Sequence, residues 1–388
     1  MIHKVNQTIP VAPLKIVALD SCEKMGKLVD DIIVETRHNV TANEDGLNVL
    51  GFDVDSYLLD AATPRFGSGE GKGILYESVR GKDLYIIVDV VNNNINYPIC
   101  GEKSIKSPDD HYQDLKRIIA ACNGKAHRIN VIMPFLYEGR QHRRSKRESL
   151  DCALALQELV SMGVENIITF DAHDPRVQNA IPTKGFDNFF TSFQFIRAFL
   201  SCPEKPIVDK EHLMIISPDE GGMTRAVYYA NVLGVDMGMF YKRRDYSRIV
   251  NGKNPIVAHE FLGNSLDGKD VFIVDDMIAS GESMIDVARE LKKRKANRVF
   301  VATTFGLFTE GLEKFDKAYE EGIIDRVFTT NLVYTREDIL EREYYTNVDL
   351  SKYIALIIDT LNHDLSVNDI LSPNQKIQEL LAEYKKTK

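Results

Sequence analysis

Short apolar runs alternate along the chain with longer amphipathic stretches, a pattern that predicts alternating strands and helices. The first strand is predicted at 14–19, and the helix after it at about 23–37. The alternation then continues to about residue 170. Further strands of this first block are predicted at 83–89, 128–133 and 166–170, and further helices at 111–123 and 149–162.

The same alternation restarts after Pro182. Strands of this second block are predicted at 212–216, 235–241, 270–274, 298–304 and 326–331, and helices at 189–200, 222–233, 283–295 and 310–321. Polar insertions without regular structure are predicted at 39–62 and 94–110. Two such blocks predict two α/β domains, each a mainly parallel sheet flanked by helices. We place them at 1–185 and 186–345, with a helical C-terminal extension at 346–388.

Composition narrows the class of protein. The 388 residues are 44% hydrophobic and 27% charged, which is ordinary for a globular protein. No run of eighteen apolar residues is present, so we expect no membrane span, and the N-terminus lacks the apolar core of a signal peptide. The five scattered cysteines favour reduced thiols. We therefore expect a cytoplasmic protein. Its net charge of −9 argues against nucleic-acid binding.

Charged residues follow five of the predicted strands. These strand-end segments are Arg140–Arg147, Asp171–Asp174, Ser217–Gly222, Lys242–Arg244 and Asp275–Asp276. In open α/β sheets, ligands bind beyond the carboxyl ends of the strands. The repeated pattern therefore predicts a polar active site at this edge.

The stretch VDDMIASGES at 274–283 combines features of an anion site and of a sugar site. Free amides at a helix N-terminus, hydroxyls of Ser280 and Ser283, and the close backbone approach allowed by Gly281 suit a phosphate. The carboxylates of Asp275 and Asp276 can accept hydrogen bonds from two neighbouring sugar hydroxyls. A sugar phosphate fits this loop, although an ordinary strand–helix turn with serine caps fits it equally well.

VDDMIASGES resembles the phosphoribosyl-diphosphate signature shared by phosphoribosyltransferases and ribose-phosphate pyrophosphokinases. Further segments resemble those of the pyrophosphokinases in the same order: Arg65–Glu70, Glu77–Gly81, Gly139–Arg147, Asp171–His173, Ser217–Gly222 and Lys242–Arg244. Ordinary phosphoribosyltransferases lack the first domain. The chain is identified, over about residues 14–335, as a divergent and longer member of the ribose-phosphate pyrophosphokinase family, with two phosphoribosyltransferase-like domains.

The resemblance implies transfer of the β,γ-diphosphoryl group of ATP to the anomeric hydroxyl of ribose 5-phosphate, giving 5-phosphoribosyl diphosphate and AMP. The residues implied in catalysis are Lys242, Arg244 and Arg140. Those implied in ATP binding are Phe66, Glu70, Arg140, Gln141 and Arg143, where the basic run would close over the triphosphate. Those implied in ribose 5-phosphate binding are Asp275, Asp276, Ser280, Gly281 and Ser283.

The resemblance also implies a metal and an assembly. Magnesium would be held near His173 and Asp219. Because the segment around Phe66 reaches a neighbouring subunit in this family, a homo-oligomer built from dimers is implied, with a hexamer as one such arrangement. ATP and ribose 5-phosphate are the implied ligands, and no nucleic acid or membrane partner is expected.

Several residues depart from the family pattern. Ala279 stands where an aspartate is common, and Glu282 stands where a small neutral residue is common. Ser68 and His142 also replace usual aspartates. Two hypotheses therefore stay open: an active pyrophosphokinase, and a catalytically silent relative that regulates an active synthetase. A phosphoribosyltransferase is a third, weaker alternative, against which the doubled α/β chain and its basic run argue.

Overall fold

The computed structural model describes residues 8–43, 49–244 and 256–386, and contacts between residues divide the chain into two compact units. Unit 1 comprises Met1–Phe190, Asn331–Tyr334 and Asp349–Ser372. Unit 2 comprises Thr191–Thr330, Thr335–Val348 and Pro373–Lys388. The C-terminal tail thus contributes to both units. The domain boundaries at residues 185 and 345, which we inferred from the sequence, stay predictions.

Unit 1 is built on a five-stranded sheet. Its strands and helices are β1 (Leu14–Ala18), β2 (Ala61–Ala62), β3 (Ile74–Leu75), β4 (Asp83–Ile87), β5 (Asn96–Ile99), β6 (Glu102–Ile105), β7 (Arg128–Ile132), β8 (Asn166–Phe170), β9 (Gly185–Phe189), α1 (Glu23–Asn43), α2 (Pro108–Ala121), α3 (Asp151–Ser161), α8 (Ser351–Asn362) and α9 (Asn368–Leu371). The order is β1-β4-β7-β8-β9, and every neighbouring pair is parallel. Such a sheet is buried on both faces.

Three sequence predictions for unit 1 are wrong in detail. Helix α1 runs to Asn43, so the irregular insertion expected from residue 39 begins later, and 44–48 lie outside the described residues. The loop expected at 94–110 contains the antiparallel hairpin of β5 and β6, because Cys100 and Gly101 take the positive φ values of a tight turn. Phe189, expected to open a helix, ends β9, where pairing with β8 buries it.

Unit 2 is built on a seven-stranded sheet. Its strands and helices are β10 (Leu213–Ser217), β11 (Asp236–Arg244), β12 (Ile256–Leu262), β13 (Asp270–Ile278), β14 (Val299–Gly306), β15 (Arg326–Thr330), β16 (Tyr345–Val348), α4 (Ser192–Ser201), α5 (Met223–Leu233), α6 (Glu282–Lys293), α7 (Glu313–Glu320) and α10 (Asn374–Lys386). The pair β11–β12 is antiparallel, and the other pairs are parallel. Both sheets confirm the predicted mainly parallel α/β class.

The strand order of unit 2 creates a crevice at the edge of its sheet. The order is β12-β11-β10-β13-β14-β15-β16, so the chain leaves β10 toward β11 on one side and returns to β13 on the other. Where the connections from two neighbouring strands run in opposite directions, a crevice opens at the carboxyl ends of those strands. Ligands usually bind there in such sheets.

Within the described ranges, no helix has the length and apolar character to cross a bilayer.

Candidate functional site

The crevice of unit 2 collects three of the predicted site carboxylates. Asp219 follows β10, while Asp275 and Asp276 lie within β13. The sequence predicted that this strand ends at residue 274, but pairing with β14 continues it to Ile278. On the opposite side, β10 pairs with β13 only as far as Ile273. The two aspartates therefore lie beyond the end of β10, where one edge of β13 is open.

Asp275 has charged side chains of both signs beside it, those of Arg225 and Asp276. The guanidinium of Arg225, on α5, lies 3.5 Å from its carboxylate. Burial, and then the neighbouring Asp276 carboxylate, raise the pKa of Asp275 well above its ordinary value, and Arg225 only partly opposes them. A carboxylate of raised pKa in a crevice is typical of a functional site. Sequence reasoning missed Arg225, although a cation just after the Gly221–Gly222 pair was a usable signal.

Asp219 holds the start of α5. Its Oδ1 accepts hydrogen bonds from the amides of Gly221 and Gly222 at 2.8 and 3.2 Å. Among the described residues Oδ2 has no partner. A side chain at Gly222 would put a Cβ only 2.9 Å from the Ser217 hydroxyl and 3.6 Å from Asp275 Oδ1. The loop thus brings backbone amides close to the aspartates, with one carboxylate oxygen of Asp219 left for a ligand.

Residues 279–283, which we call the sugar-phosphate loop after its predicted ligand, comprise the turn after β13 and the first two residues of α6. Gly281 precedes the first residue of α6 with a φ of +85°, a conformation that favours glycine. A Cβ at this position would lie 2.2 Å from the ring of Phe315, so glycine is also needed for packing. Ser280 is half-buried and Ser283 is exposed in the first turn of the helix. The first amides of α6 have no intrahelical acceptor, which is the arrangement that the predicted anion site requires.

Two predicted catalytic residues lie at the same edge of the sheet of unit 2. Lys242 and Arg244 belong to β11, whose backbone pairs them with His259 and Ile256 of β12. β11 pairs with β10 only up to Met239, so Lys242 comes three residues beyond that pairing. The side chains of 242–259 lie outside the part that the structure describes.

In unit 1, the predicted adenine segment forms a tight turn. The amide of Phe66 donates to the carbonyl of Glu70 at 2.8 Å, and the Ser68 hydroxyl donates to the Glu70 carboxylate at 2.8 Å. Phe66 is 59% exposed, which suits a stacking role. Ser68, the residue that departs from the family pattern, thus orients Glu70.

A buried carboxylate that the sequence did not reveal anchors this turn. Both oxygens of Asp114, on α2, accept from the guanidinium of Arg65 at 2.7 and 2.8 Å. Lys106 and Arg117 also donate to Asp114, at 2.9 and 2.7 Å. Burial alone would raise the pKa of Asp114, but the hydrogen bonds from these cations lower it below its ordinary value. The adenine segment is therefore tied to the core through Arg65.

The predicted basic run is exposed and lacks helix and strand. Arg140, Arg143, Arg144, Lys146 and Arg147 all lie at the surface. Gln141 donates to the carbonyl of Ser149 at 2.9 Å, which closes the base of the segment. No ion pair joins Arg140 or Arg143 to another described side chain. These guanidinium groups are free to bind phosphate oxygens.

The predicted metal position His173 follows β8 and is exposed. The ring of His142 lies 5.4 Å from that of His173, and its Nε2 lies 3.5 Å from Asp174. Arg176 lowers the pKa of Asp174 to about 2. Within 8–43, 49–244 and 256–386, no three metal-binding side chains form a cluster. His173 belongs to unit 1 and Asp219 to unit 2, so neither unit alone contains both.

Asp275→Asn is expected to increase stability at alkaline pH. Because the native pKa of Asp275 is raised, the native state binds more protons than the unfolded state above pH ~3.9, so the unfolding free energy of the wild type falls as pH rises. Asparagine removes this loss, and we expect a gain of at least about 1 kcal/mol at pH 8 over the wild type, vanishing below pH ~4. Urea unfolding at several pH values measures it.

The control for this prediction is Asp286→Asn, which changes an exposed carboxylate on α6. We expect that variant to stay within about 0.5 kcal/mol of the wild type at every pH. If the unfolding free energy of Asp275→Asn changes with pH in parallel with that of the wild type from pH 4 to 8, the prediction is contradicted.

Comparison with known families matches both halves of the chain. Residues 14–163 match the N-terminal domain of ribose phosphate pyrophosphokinase, and residues 197–331 match the phosphoribosyl transferase domain. The ribose-phosphate pyrophosphokinase of Vibrio cholerae is 27% identical over 80% of this chain and 90% of its own length. That of Wolinella succinogenes is 29% identical over 83% of this chain and 95% of its own.

The fold matches a solved structure of similar description. The crystal structure of phosphoribosylpyrophosphate synthetase from Mycobacterium smegmatis superimposes with a TM-score of 0.71 at 19% identity. The match covers 90% of this chain and 99% of that one. It supports the assignment of the fold independently of the sequence motifs.

Proposed function

Because the chain belongs to the ribose-phosphate pyrophosphokinase family, we propose that it transfers the β,γ-diphosphoryl group of ATP to the anomeric hydroxyl of ribose 5-phosphate. The products are 5-phosphoribosyl diphosphate and AMP, and the chain is an enzyme of the transferase class. The observation that carries the proposal is the crevice of unit 2, where two aspartates of β13 adjoin an anion-binding helix start. A small molecule that carries both a diol and a phosphate matches these two features, because the diol suits the aspartates and the phosphate suits the helix start.

Ribose 5-phosphate binds in this crevice. The carboxylates of Asp275 and Asp276 accept hydrogen bonds from the ribose hydroxyls. The hydroxyls of Ser280 and Ser283, and the amides around Gly281, hold the 5-phosphate. Arg225, 3.5 Å from Asp275, keeps that carboxylate oriented and partly neutralised. Ala279 cannot contribute an acid, so positioning and charge neutralisation carry the reaction here.

ATP binds through residues of unit 1. Phe66 stacks on the adenine, and Glu70, oriented by Ser68, accepts from its amino group. Arg140, Gln141 and Arg143 contact the phosphates, because guanidinium groups bind phosphate oxygens bidentately. Lys242, Arg244 and Arg140 stabilise the charge that develops on the transferring group, as phosphoryl transfer requires.

Magnesium fits the donors at one of its two proposed positions better than at the other. Asp219 has a carboxylate oxygen without a partner among the described residues, and magnesium prefers oxygen ligands. The imidazole of His173 is a nitrogen donor, so His173 acts through a water ligand. When bound, magnesium neutralises phosphate charge and orients the diphosphoryl group.

The protein is cytoplasmic and forms a homo-oligomer built from dimers.

A phosphorus NMR time course tests the proposal. Purified protein is incubated with ATP, ribose 5-phosphate and magnesium, and we expect AMP and a sugar diphosphate to accumulate in equal amounts. A sample without ribose 5-phosphate is the control and should keep its ATP. ATP consumption that yields ADP, or no AMP in the presence of bound ATP, would overturn the proposal, and the second outcome would favour the silent regulatory relative.

A further inference from the structure

Glu282 puts a negative charge at the start of the helix that takes the phosphate. It is the first residue of α6, directly after Gly281, and its side chain is exposed. Negative charge at this position favours the helix itself, but it repels an incoming phosphate across a few ångströms. A glutamate without a countercharge would weaken the affinity of the loop for a sugar phosphate. The groups around Glu282 therefore determine whether the loop can bind one.

Glu282 is paired with a lysine from the next helix. The ammonium of Lys314, on α7, donates to the Glu282 carboxylate and also to Glu310 at 2.6 Å. The bond with Lys314 lowers the pKa of Glu282 below its ordinary value. The carboxylate is therefore directed toward α7 and carries a countercharge there.

The base of α7 is fixed to the sugar-phosphate loop by packing. Phe315, the residue after Lys314, is buried and lies against the Cα of Gly281. The amide of Thr309 donates to the carbonyl of Ala279 at 3.0 Å. Because these contacts hold the two segments together, the ammonium of Lys314 stays beside the start of α6 although its side chain is partly exposed.

We propose that Lys314 is a positioning residue of the sugar-phosphate loop, which neutralises Glu282 and keeps its carboxylate away from the 5-phosphate of the bound sugar. The inference rests on the proposed function and explains how this loop retains phosphate affinity despite an acidic residue. Lys314 acts through Glu282 and not through the substrate. Removing both charges should therefore undo the damage of removing Lys314 alone.

The test is a double-mutant cycle of Lys314→Met and Glu282→Gln. Lys314→Met leaves Glu282 uncompensated, and we expect the KM for ribose 5-phosphate to rise about 5–30-fold while kcat and the KM for ATP stay within about twofold. The double variant should return to within about twofold of the wild-type KM, because residue 282 then carries no charge that could repel the phosphate. Lys317→Ala, one turn along α7, is the matched control and should change nothing.

Calorimetric titration with ribose 5-phosphate gives a readout besides turnover. The dissociation constants should follow the same pattern as the KM values. An unchanged KM in Lys314→Met, or a double variant that stays as weak as Lys314→Met, would overturn the inference and leave the proposed function intact. A wild type without turnover would instead overturn the proposed function, and calorimetry of the four proteins would then decide the inference alone.

Discussion

Lys242→Ala is expected to lower kcat by about 10³-fold or more, since removal of one preorganised electrostatic contact to a transition state typically costs 10²–10³ and phosphoryl transfer depends strongly on such contacts. The reason lies in the register of the sheet of unit 2. β11 continues past its last pairing with β10 and carries Lys242 to the edge that holds Asp275 and Asp276. If diphosphoryl transfer takes place at this edge, as proposed, the charge of Lys242 stabilises the negative charge that develops on the transferring group.

Initial rates of AMP formation measure this prediction, with circular dichroism to show that the variant is folded. Lys295→Ala serves as the control, because it removes a lysine that is 75% exposed and distant in sequence. The control should turn over like the wild type. A Lys242→Ala protein with turnover near the wild type would remove Lys242 from the catalytic residues while leaving the family assignment in place.

Asp114→Ala is expected to lower the unfolding free energy by about 3–5 kcal/mol, since removal of one partner leaves buried charge uncompensated. The Asp114 side chain is fully buried, and those of Arg65 and Lys106 are 2% and 3% exposed. Because Arg65 directly precedes Phe66, loss of this anchor should also raise the KM for ATP more than that for ribose 5-phosphate.

Urea unfolding and steady-state kinetics measure the two effects of Asp114→Ala. Glu165→Ala is the matched control, since it breaks an exposed ion pair with Lys184 in the same unit. Such a pair contributes up to about 1 kcal/mol. An Asp114→Ala variant no less stable than this control would show that Arg65 and Lys106 find other partners.

Much of the fold was predictable because it follows from local patterns. The alternation of apolar runs and amphipathic stretches indicated two parallel α/β blocks, and the structure confirms that class. Errors arose where strands depend on pairing. Phe189 in β9 and the extension of β13 to Ile278 are stabilised by neighbouring strands, which a local pattern does not report. The hairpin of β5 and β6 was missed because the positive φ values at Cys100 and Gly101 have only a weak sequence signal.

Some features of the candidate site were likewise predictable from the sequence, and others depend on the fold. The family was recognisable from the sequence alone. The sequence also predicted a phosphate loop around Gly281 and ligand-binding aspartates in β13, because their spacing along a strand, loop and helix is typical of that chemistry. The pairing of charges, in contrast, follows from the fold: Asp114 with Arg65, Arg225 with Asp275, Lys314 with Glu282, and Arg37 with Asp359. The last pair is 322 residues apart and buried. Periodicity describes the faces of single elements, whereas charge pairing depends on which elements the fold brings together.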